Sequence, residues 1–419
     1  MRTLSLAVAS LLASQIAVAD EVKKNDWSLE GNIRTAFISD TNDKKGSEEI
    51  HDLAVSGSIT LLAPKVKGFT VGATLYTTQP LFGQQTNNFL TETDGGSYSY
   101  LGEAYITGAV FGKTSVILGR KIIDTPFADS DDIGMTPNSF EVYLVQNNDI
   151  ENITFTAGRV TKWAGVDAPT RGKFTNITDG DGVSVTAVNY ADKDLGIEAQ
   201  AWYYNLDNFT SQTDSYYFNE TTKLYENKVT NSSTSDIGIA YIDGAYSLEL
   251  DKQSSVVLSA QFVQFLQLNG AKQDGSAIGV QAEYTFDALN VAVAYNQADG
   301  DIAPTNGFGG GPFYASSDIL TIADSGQDST AWRVSGSYDI DKKTSISLGY
   351  AGLTPKNGSD LSEIDVSASY AYNDNFSLDL YIESWTTQQD SKTQAEKKGF
   401  YSNKTDSNFE YSIFANYSF

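Results

Sequence analysis

The sequence contains no cysteine and only one histidine, His51, among its 419 residues. The missing thiols exclude disulfides, thiolate metal sites and a cysteine nucleophile, and one imidazole is too few for a histidine zinc site. The acidic stretch DSDDIG lacks the spacing of a calcium-binding EF-hand, and no Lys-Ser/Thr follows GFGGGP as a P-loop would need. We therefore expect no metal, no cofactor and no enzymatic activity, although an acidic loop could still hold calcium loosely.

Basic residues are also scarce: 28 of them face 53 acidic residues, which gives a formal net charge of -25. Phosphates repel so acidic a chain, so we expect no nucleic-acid partner. The one strongly apolar segment is the start, MRTLSLAVASLLASQIAVAD, with a basic residue, an apolar centre and a small-residue cleavage site. We interpret residues 1–19 as a secretory signal peptide and residues 20–419 as one mature domain.

No later run of 18 apolar residues could form a spanning helix, but alternation of apolar and polar residues recurs along the whole chain. EYSIFANYSF at 410–419 and SEIDVSASYAY at 362–372 are examples. Eighteen such strands are predicted, beginning near residues 27, 50, 68, 100, 113, 140, 152, 181, 196, 236, 254, 276, 289, 330, 343, 362, 375 and 410. The pattern predicts an all-β, antiparallel transmembrane barrel of about eighteen strands, with sixteen as the alternative.

The connections between these strands alternate in length. Turns such as 63–67, 110–112 and 372–375 are short, whereas the other connections between strands are mostly long. The long segments are 79–99, 121–139, 161–180, 205–235, 298–329 and 386–409. Short periplasmic turns and long extracellular loops are typical of outer-membrane barrels. Aromatic residues near strand ends suit the interfacial girdles of such a barrel; they are Trp27, Trp202, Trp332, Trp385, Tyr350 and Tyr417.

The segment 121–139 breaks the alternation and carries a group of aspartates: Asp124, Asp129, Asp131 and Asp132. With its flanks it reads LGRKIIDTPFADSDDIGMTPNSFE, which resembles the segment typical of the OprD family of outer-membrane porins. The resemblance implies a water-filled channel for passive diffusion of ions and small hydrophilic solutes in the outer membrane of a Gram-negative bacterium. It also implies that the third and seventh loops, 121–139 and 298–329, constrict the channel.

The polar faces of the strands predict which charges line the lumen. We expect the basic lumen residues to be Arg34, Arg120 and Arg333. We expect the acidic ones to be Glu30, Glu283, Asp339, Glu363, Asp365, Asp379 and Glu383. The acidic excess predicts a mild preference for cations, unless most of the charge lies on extracellular loops.

Two other interpretations stay open from the sequence. The chain could be a surface adhesin or structural barrel with a plugged lumen, or an exported enzyme or β-helix. Lipid of the outer membrane is the expected environment, and a homotrimer is possible because porins often form one. The sequence does not identify the solute.

Overall fold

The structure is a computed structural model that describes residues 26–42, 49–83, 90–92, 95–219, 224–270, 273–325, 328–356, 359–390 and 401–419. The predicted signal peptide, 1–19, lies outside these residues. Within them, no helix is long and apolar enough to cross a membrane. A single turn of 3-10 helix, Ile322–Ser325, lies in a loop.

Nineteen strands follow one another along the described chain, and eighteen of them form the wall of a barrel. The other, β8, has two residues and pairs with the end of β7. The strands are β1 Ser28–Asn42, β2 Ile50–Leu62, β3 Phe69–Gly83, β4 Tyr98–Phe111, β5 Thr114–Lys121, β6 Ser139–Asn147, β7 Ile153–Ala164, β8 Thr175–Asn176, β9 Val183–Asp192, β10 Ile197–Asn219, β11 Leu224–Glu249, β12 Ser254–Gln267, β13 Asp274–Phe286, β14 Leu289–Gly300, β15 Ser329–Asp339, β16 Thr344–Pro355, β17 Leu361–Asn373, β18 Phe376–Asp390 and β19 Tyr401–Ser418.

The wall closes because β1 pairs antiparallel with both β2 and β19. The C-terminal Phe419 completes the seam, since its backbone exchanges two hydrogen bonds with Gly31, at 2.9 and 3.0 Å. Among the described strands of the wall, closure leaves no sheet edge unpaired, as lipid requires of a spanning sheet. The prediction of eighteen antiparallel wall strands is confirmed, and the sixteen-strand alternative is wrong.

Sixteen of the eighteen predicted strand starts fall within two residues of the observed ones, but two long segments were wrongly expected to be loops. Within 205–235, β10 continues to Asn219 and β11 begins at Leu224. Beyond Phe209 and Ser235 these two strands pair only with each other. In 386–409 the strands β18 and β19 continue in the same way. Such a ribbon pairs only two strands beyond the barrel wall, so the apolar alternation that lipid imposes on a wall strand is not required there.

The two faces of the wall differ in polarity as predicted. Large apolar side chains point outward, for example Val280 and Leu348 at 56% and 58% exposed, and they form the lipid-facing band. Trp332 and Tyr350 lie on this outer face with their rings 5.2 Å apart, as expected for an interfacial girdle. Trp202 does not, because it is 4% exposed and stacks on inward-facing Tyr204.

Trp385 is a second exception to the girdle prediction. It shares the inward face of β18 with buried Glu383 and packs against the interior apolar cluster. That cluster exists because two long loops fold into the barrel and need apolar partners there. We call them L3, residues 122–138 between β5 and β6, and L7, residues 301–328 between β14 and β15.

Candidate functional site in the barrel lumen

L3 crosses the lumen from one side of the barrel wall to another. Phe127, 1% exposed, inserts its ring edge-on among three inward-facing aromatic side chains of β10, β11 and β12. They are Tyr204, Tyr241 and Phe265, with ring centroids 5.6, 5.8 and 6.0 Å from that of Phe127. Further along the loop, Met135 packs into the buried cluster of Ala36, Ala54 and Phe414, which come from β1, β2 and β19. The two contacts anchor L3 to different parts of the wall.

Arg34 of β1 fixes the second half of L3. Its guanidinium donates to both carboxylate oxygens of Asp132, at 2.7 and 3.1 Å, and to the carbonyl oxygen of Gly134 at 2.6 Å. A bidentate pairing of this kind sets orientation as well as distance. Asn416 of β19 accepts a further bond from Nε at 2.8 Å, so the arginine is aimed into the lumen by its own neighbour.

The aspartates of L3 hold the shape of the loop. Asp124 accepts from the backbone N–H of Ser130 at 2.9 Å, and Asp129 accepts from that of Asp131 at 3.0 Å. Asp131 has a positive φ of 35°, so the chain turns sharply there. Asp132 pairs with Arg34 and remains half exposed. The acidic run therefore has a structural explanation: short carboxylate side chains cap the backbone N–H groups of a loop that no sheet satisfies.

L7 joins L3 inside the barrel through a short parallel β-bridge. The N–H of Phe308 donates to the carbonyl oxygen of Phe127 at 3.0 Å, and the N–H of Asp129 donates to that of Phe308 at 3.2 Å. The Asp129 carboxylate also accepts from the N–H of Gly310 at 3.1 Å. The glycine-rich stretch GFGGGP makes this approach possible, because a Cβ on Gly307 would lie 2.5 Å from the Phe127 oxygen.

Buried polar side chains attach L7 to the wall. Glu363 of β17, 1% exposed, accepts bonds from Ser317 Oγ at 2.6 Å and from the backbone N–H groups of Ile319 and Leu320 at 3.1 and 2.7 Å. On β14, fully buried Asn296 accepts from the N–H of Ala315 at 2.8 Å. L7 is thus hydrogen-bonded to two wall strands, β14 and β17, and to L3.

Each basic side chain that the described strands direct into the lumen has a carboxylate beside it. Arg34 pairs with Asp132, as described above. Arg333 of β15 donates through Nη2 to Asp365 at 2.8 Å, and both side chains are almost fully buried. Lys121, which the sequence analysis did not single out, lies 3.8 Å from Glu103 and 4.1 Å from the ring centre of Tyr105.

Arg120 was predicted to line the lumen, and the structure places it on the other face. It pairs with outward-facing Glu141 across the sheet and shares the face of Leu118, which is 41% exposed toward lipid. Its guanidinium lies 4.2 Å from the ring centre of Phe174 in the loop after β7. Side chains alternate strictly along a strand, so Arg120 points outward and Lys121, the next residue, points into the lumen.

Carboxylates from four neighbouring strands form a transverse row on the inner wall. Cross-strand pairing sets Asp40 of β1 opposite Glu410 of β19, Glu410 opposite Glu383 of β18, and Glu383 opposite Asp365 of β17. Directly opposed side chains in a sheet lie about 4.5–5.5 Å apart at Cβ, and like charges there repel. Among the residues that the structure describes, Arg333 is the basic residue that forms an ion pair with a member of this row. We call these four residues the carboxylate row.

The remaining predicted acidic lumen residues lie at other levels of the inner wall. Asp379 accepts from Ser369 at 2.6 Å and from Asn416 at 2.9 Å. Glu283 accepts from Asn290 at 2.7 Å and is 8% exposed. Glu30 and Asp339 are exposed near the periplasmic ends of β1 and β15. None of these four belongs to the carboxylate row.

Several lumen acids escaped the sequence analysis although they lie on polar faces. Asp40 lies near the extracellular end of β1, Glu410 lies on the polar face of β19, and Glu103 follows a register shift in β4. Asp243 faces Tyr314 of L7, whose pKa is raised by burial and by that neighbouring carboxylate.

Among the described residues, no group of three histidine or carboxylate side chains could hold a metal ion.

We expect an Arg34→Ala variant to release the second half of L3 from β1, because three of its bonds to L3 are lost together. The measurement is single-channel conductance in planar bilayers, which should become larger and noisier than that of the wild type. Lys356→Ala provides the control, since Lys356 is exposed at the rim and pairs with Asp328. Equal conductance in the wild type and Arg34→Ala would show that the arginine does not hold the loop.

The comparisons with known proteins agree with this geometry. The family model described as "outer membrane porin, OprD family" matches residues 68–357. None of the curated protein sequences is similar enough to this chain to count as a match.

Solved channels share the fold at low sequence identity. OccAB1 of Acinetobacter baumannii is 16% identical, with a TM-score of 0.69 over 96% of this chain and 99% of its own. OccK9 (OpdG) of Pseudomonas aeruginosa is 13% identical, with a TM-score of 0.73 over 94% and 98%. OpdK of the same organism, crystallised with vanillate, is 12% identical, with a TM-score of 0.71 over 94% and 98%.

The family match spans more than half of the chain, and the closed barrel has the architecture of these channels. A passive route for small solutes across the outer membrane of a Gram-negative bacterium follows from both. The chain therefore belongs to the OprD family of outer-membrane porins.

Proposed function

We propose that the channel prefers cations and that L3 and L7 together set its narrowest passage. The carboxylate row supports the first part, since Arg333 is the described base that ion-pairs with a row member. Arg34 and Lys121 are each beside a carboxylate of their own. Charged rings in wide pores select ions through their field, so an acidic lumen attracts cations and repels anions.

The second part of the proposal rests on the bonds between the loops. L3 reaches across to β10–β12, L7 is bridged to it at Phe308, and both loops are bonded to the wall. A solute has to pass beside these segments. Under this proposal the predicted constriction residues Asp124, Asp129 and Asp131 shape the passage, and Asp132 also contributes charge to it.

Reversal potential under a KCl gradient tests the ion preference. We expect the wild-type channel to show a cation-selective potential, and Glu383→Gln/Glu410→Gln to shift it toward zero, because two carboxylates of the row lose their charge. The control is Glu151→Gln/Asp194→Asn, which removes the same charge from exposed periplasmic turns. An anion-selective wild type, or equal shifts in both double variants, would overturn the charge argument while leaving the channel intact.

The proposal gives the chain no catalytic activity, because its family and fold are those of channels. The homotrimer remains a prediction, and the mass of the purified, folded protein in detergent would decide it. Under this proposal the acidic lumen favours small cationic molecules over carboxylate-bearing ones.

A further inference from the structure

Three basic side chains lie together on the outer face of the barrel at its extracellular end. Arg120 of β5 and Lys162 of β7 are both paired across the sheet with Glu141 of β6. Arg159 of β7 lies one step lower, opposite Tyr143, which is 49% exposed on the lipid-facing side. We call Arg120, Arg159 and Lys162 the outer basic patch.

The patch borders the lipid-facing band. On the same strands, outward-facing Leu118 and Tyr143 lie level with Arg159, and Phe155 lies below it. These apolar side chains are 41%, 49% and 40% exposed. The strand ends at this side of the barrel carry the long loops, so the patch lies where the outer leaflet meets water. That level is where the headgroups of outer-leaflet lipids lie.

The acids beside the patch do not hydrogen-bond to its N–H groups. Glu141 is 3.8 Å from Arg120 Nε and 3.6 Å from Lys162 Nζ, and Asp181 is 3.8 Å from Arg159 Nη2. All three distances exceed that of a hydrogen bond. Three bases also face only two acids, so the patch keeps a positive excess.

Acidic side chains lie at several other places on the described extracellular rim. Asp236 lies where β11 leaves its pairing with β12, Asp274 and Asp299 lie at the ends of β13 and β14, and Lys356 is bound to Asp328. An anionic headgroup would be repelled by these acids and attracted by the outer basic patch. On a chain with a net charge of -25, a local positive region of this kind needs a reason.

We propose that the outer basic patch binds the headgroup phosphates of an outer-leaflet lipid, whose acyl chains lie on the apolar band beneath it. Arginine and lysine are the side chains that bind phosphate through charge-assisted hydrogen bonds. The site lies on the outer wall, so it is independent of what the channel conducts. Arg120 is also held by Phe174 and the backbone of β4, so Arg159 and Lys162 provide the adaptable contacts.

The test is equilibrium binding of purified lipopolysaccharide to the full-length, detergent-folded barrel, read by native mass spectrometry. We expect Arg159→Gln/Lys162→Gln to bind about tenfold more weakly than the wild type, a loss of roughly 1.4 kcal/mol. Lys252→Gln/Lys356→Gln removes the same charge elsewhere and should bind like the wild type. Chemically dephosphorylated lipopolysaccharide should bind the wild type about as weakly as the intact lipid binds the patch variant.

Other outcomes overturn the proposal. Equal binding of intact and dephosphorylated lipid would mean that the acyl chains alone are recognised. Equal loss in both double variants would mean that only overall charge matters. Competition by millimolar inorganic phosphate without any lipid dependence would assign the patch to the free ion. Heat-modifiable migration on gels shows that each variant is folded before binding is scored.

Discussion

Replacing Glu363 with alanine is expected to raise the single-channel conductance severalfold. The carboxylate is 1% exposed and accepts bonds from Ser317, Ile319 and Leu320. The variant leaves the backbone N–H groups of Ile319 and Leu320 unpaired, whereas Ser317 Oγ keeps the Leu320 carbonyl oxygen as its acceptor. Each unsatisfied buried donor costs about 1–3 kcal/mol, which is enough to drive this part of L7 toward water. Conductance in planar bilayers measures the widened passage directly.

Glu30→Ala is the matched control, because Glu30 is an acidic residue at the exposed periplasmic end of β1 with no contact to L7. It removes the same charge from the channel mouth. If both variants conducted equally, charge rather than loop attachment would explain the effect. A wild-type conductance in folded Glu363→Ala would show that L7 stays in place without this anchor.

The second large effect is expected for Gly307→Ala. Gly307 has a φ of +75°, and an added Cβ would lie 2.5 Å from the Phe127 carbonyl oxygen and 3.0 Å from Phe127 Cα. The left-handed conformation alone costs an L-residue about 1–2 kcal/mol, and backbone atoms cannot move aside as side chains do. We expect L7 to separate from L3, with larger and more variable conductance.

Gly270→Ala is the control that separates backbone strain from loss of the L3–L7 bridge as the cause of a conductance change. Gly270 also has a positive φ, of +81°, but an added Cβ would meet only the end of the Gln267 side chain, at 3.4 Å. It lies in the loop between β12 and β13, away from the bridge. Similar conductance changes in both variants would attribute the effect to backbone strain in general and not to the L3–L7 bridge.

The wall of this barrel could be predicted from the sequence because lipid imposes a local rule. Each spanning strand alternates apolar and polar residues, and one residue of shift inverts the faces. That rule placed Glu363, Asp365 and Glu383 on the inner face, where the structure has them. It failed for Trp202 and Trp385, since an inward aromatic needs a loop to pack against, and strand alternation does not show the loop.

The contents of the lumen could not be predicted in the same way. Contacts such as Arg34 with Asp132, or Phe127 with Phe308, join residues far apart in the chain, and no local pattern encodes their distance. The carboxylate row depends on cross-strand register, which the sequence leaves open within a few residues. Arg120 was expected in the lumen, whereas strict alternation from outward-facing Leu118 gives the inward position to Lys121.

The most direct test of the central claim, that L3 and L7 are joined inside the lumen, uses the absence of native cysteine. Ala128 and Phe308 are partners in the parallel bridge. Neighbouring extended chains lie about 4.8 Å apart, within the range of about 4.4–6.8 Å between Cα atoms joined by a disulfide. The double variant Ala128→Cys/Phe308→Cys should therefore oxidise without loop rearrangement.

The measurement is disulfide formation in the folded barrel together with conductance before and after reduction. We predict rapid, nearly complete crosslinking that leaves the conductance of the double variant unchanged, because the bond would only fix a contact that already exists. The single variants serve as controls and should not crosslink within one chain. Absence of the disulfide, or a conductance that falls when it forms, would contradict the account, since the loops would then lie apart in the working channel.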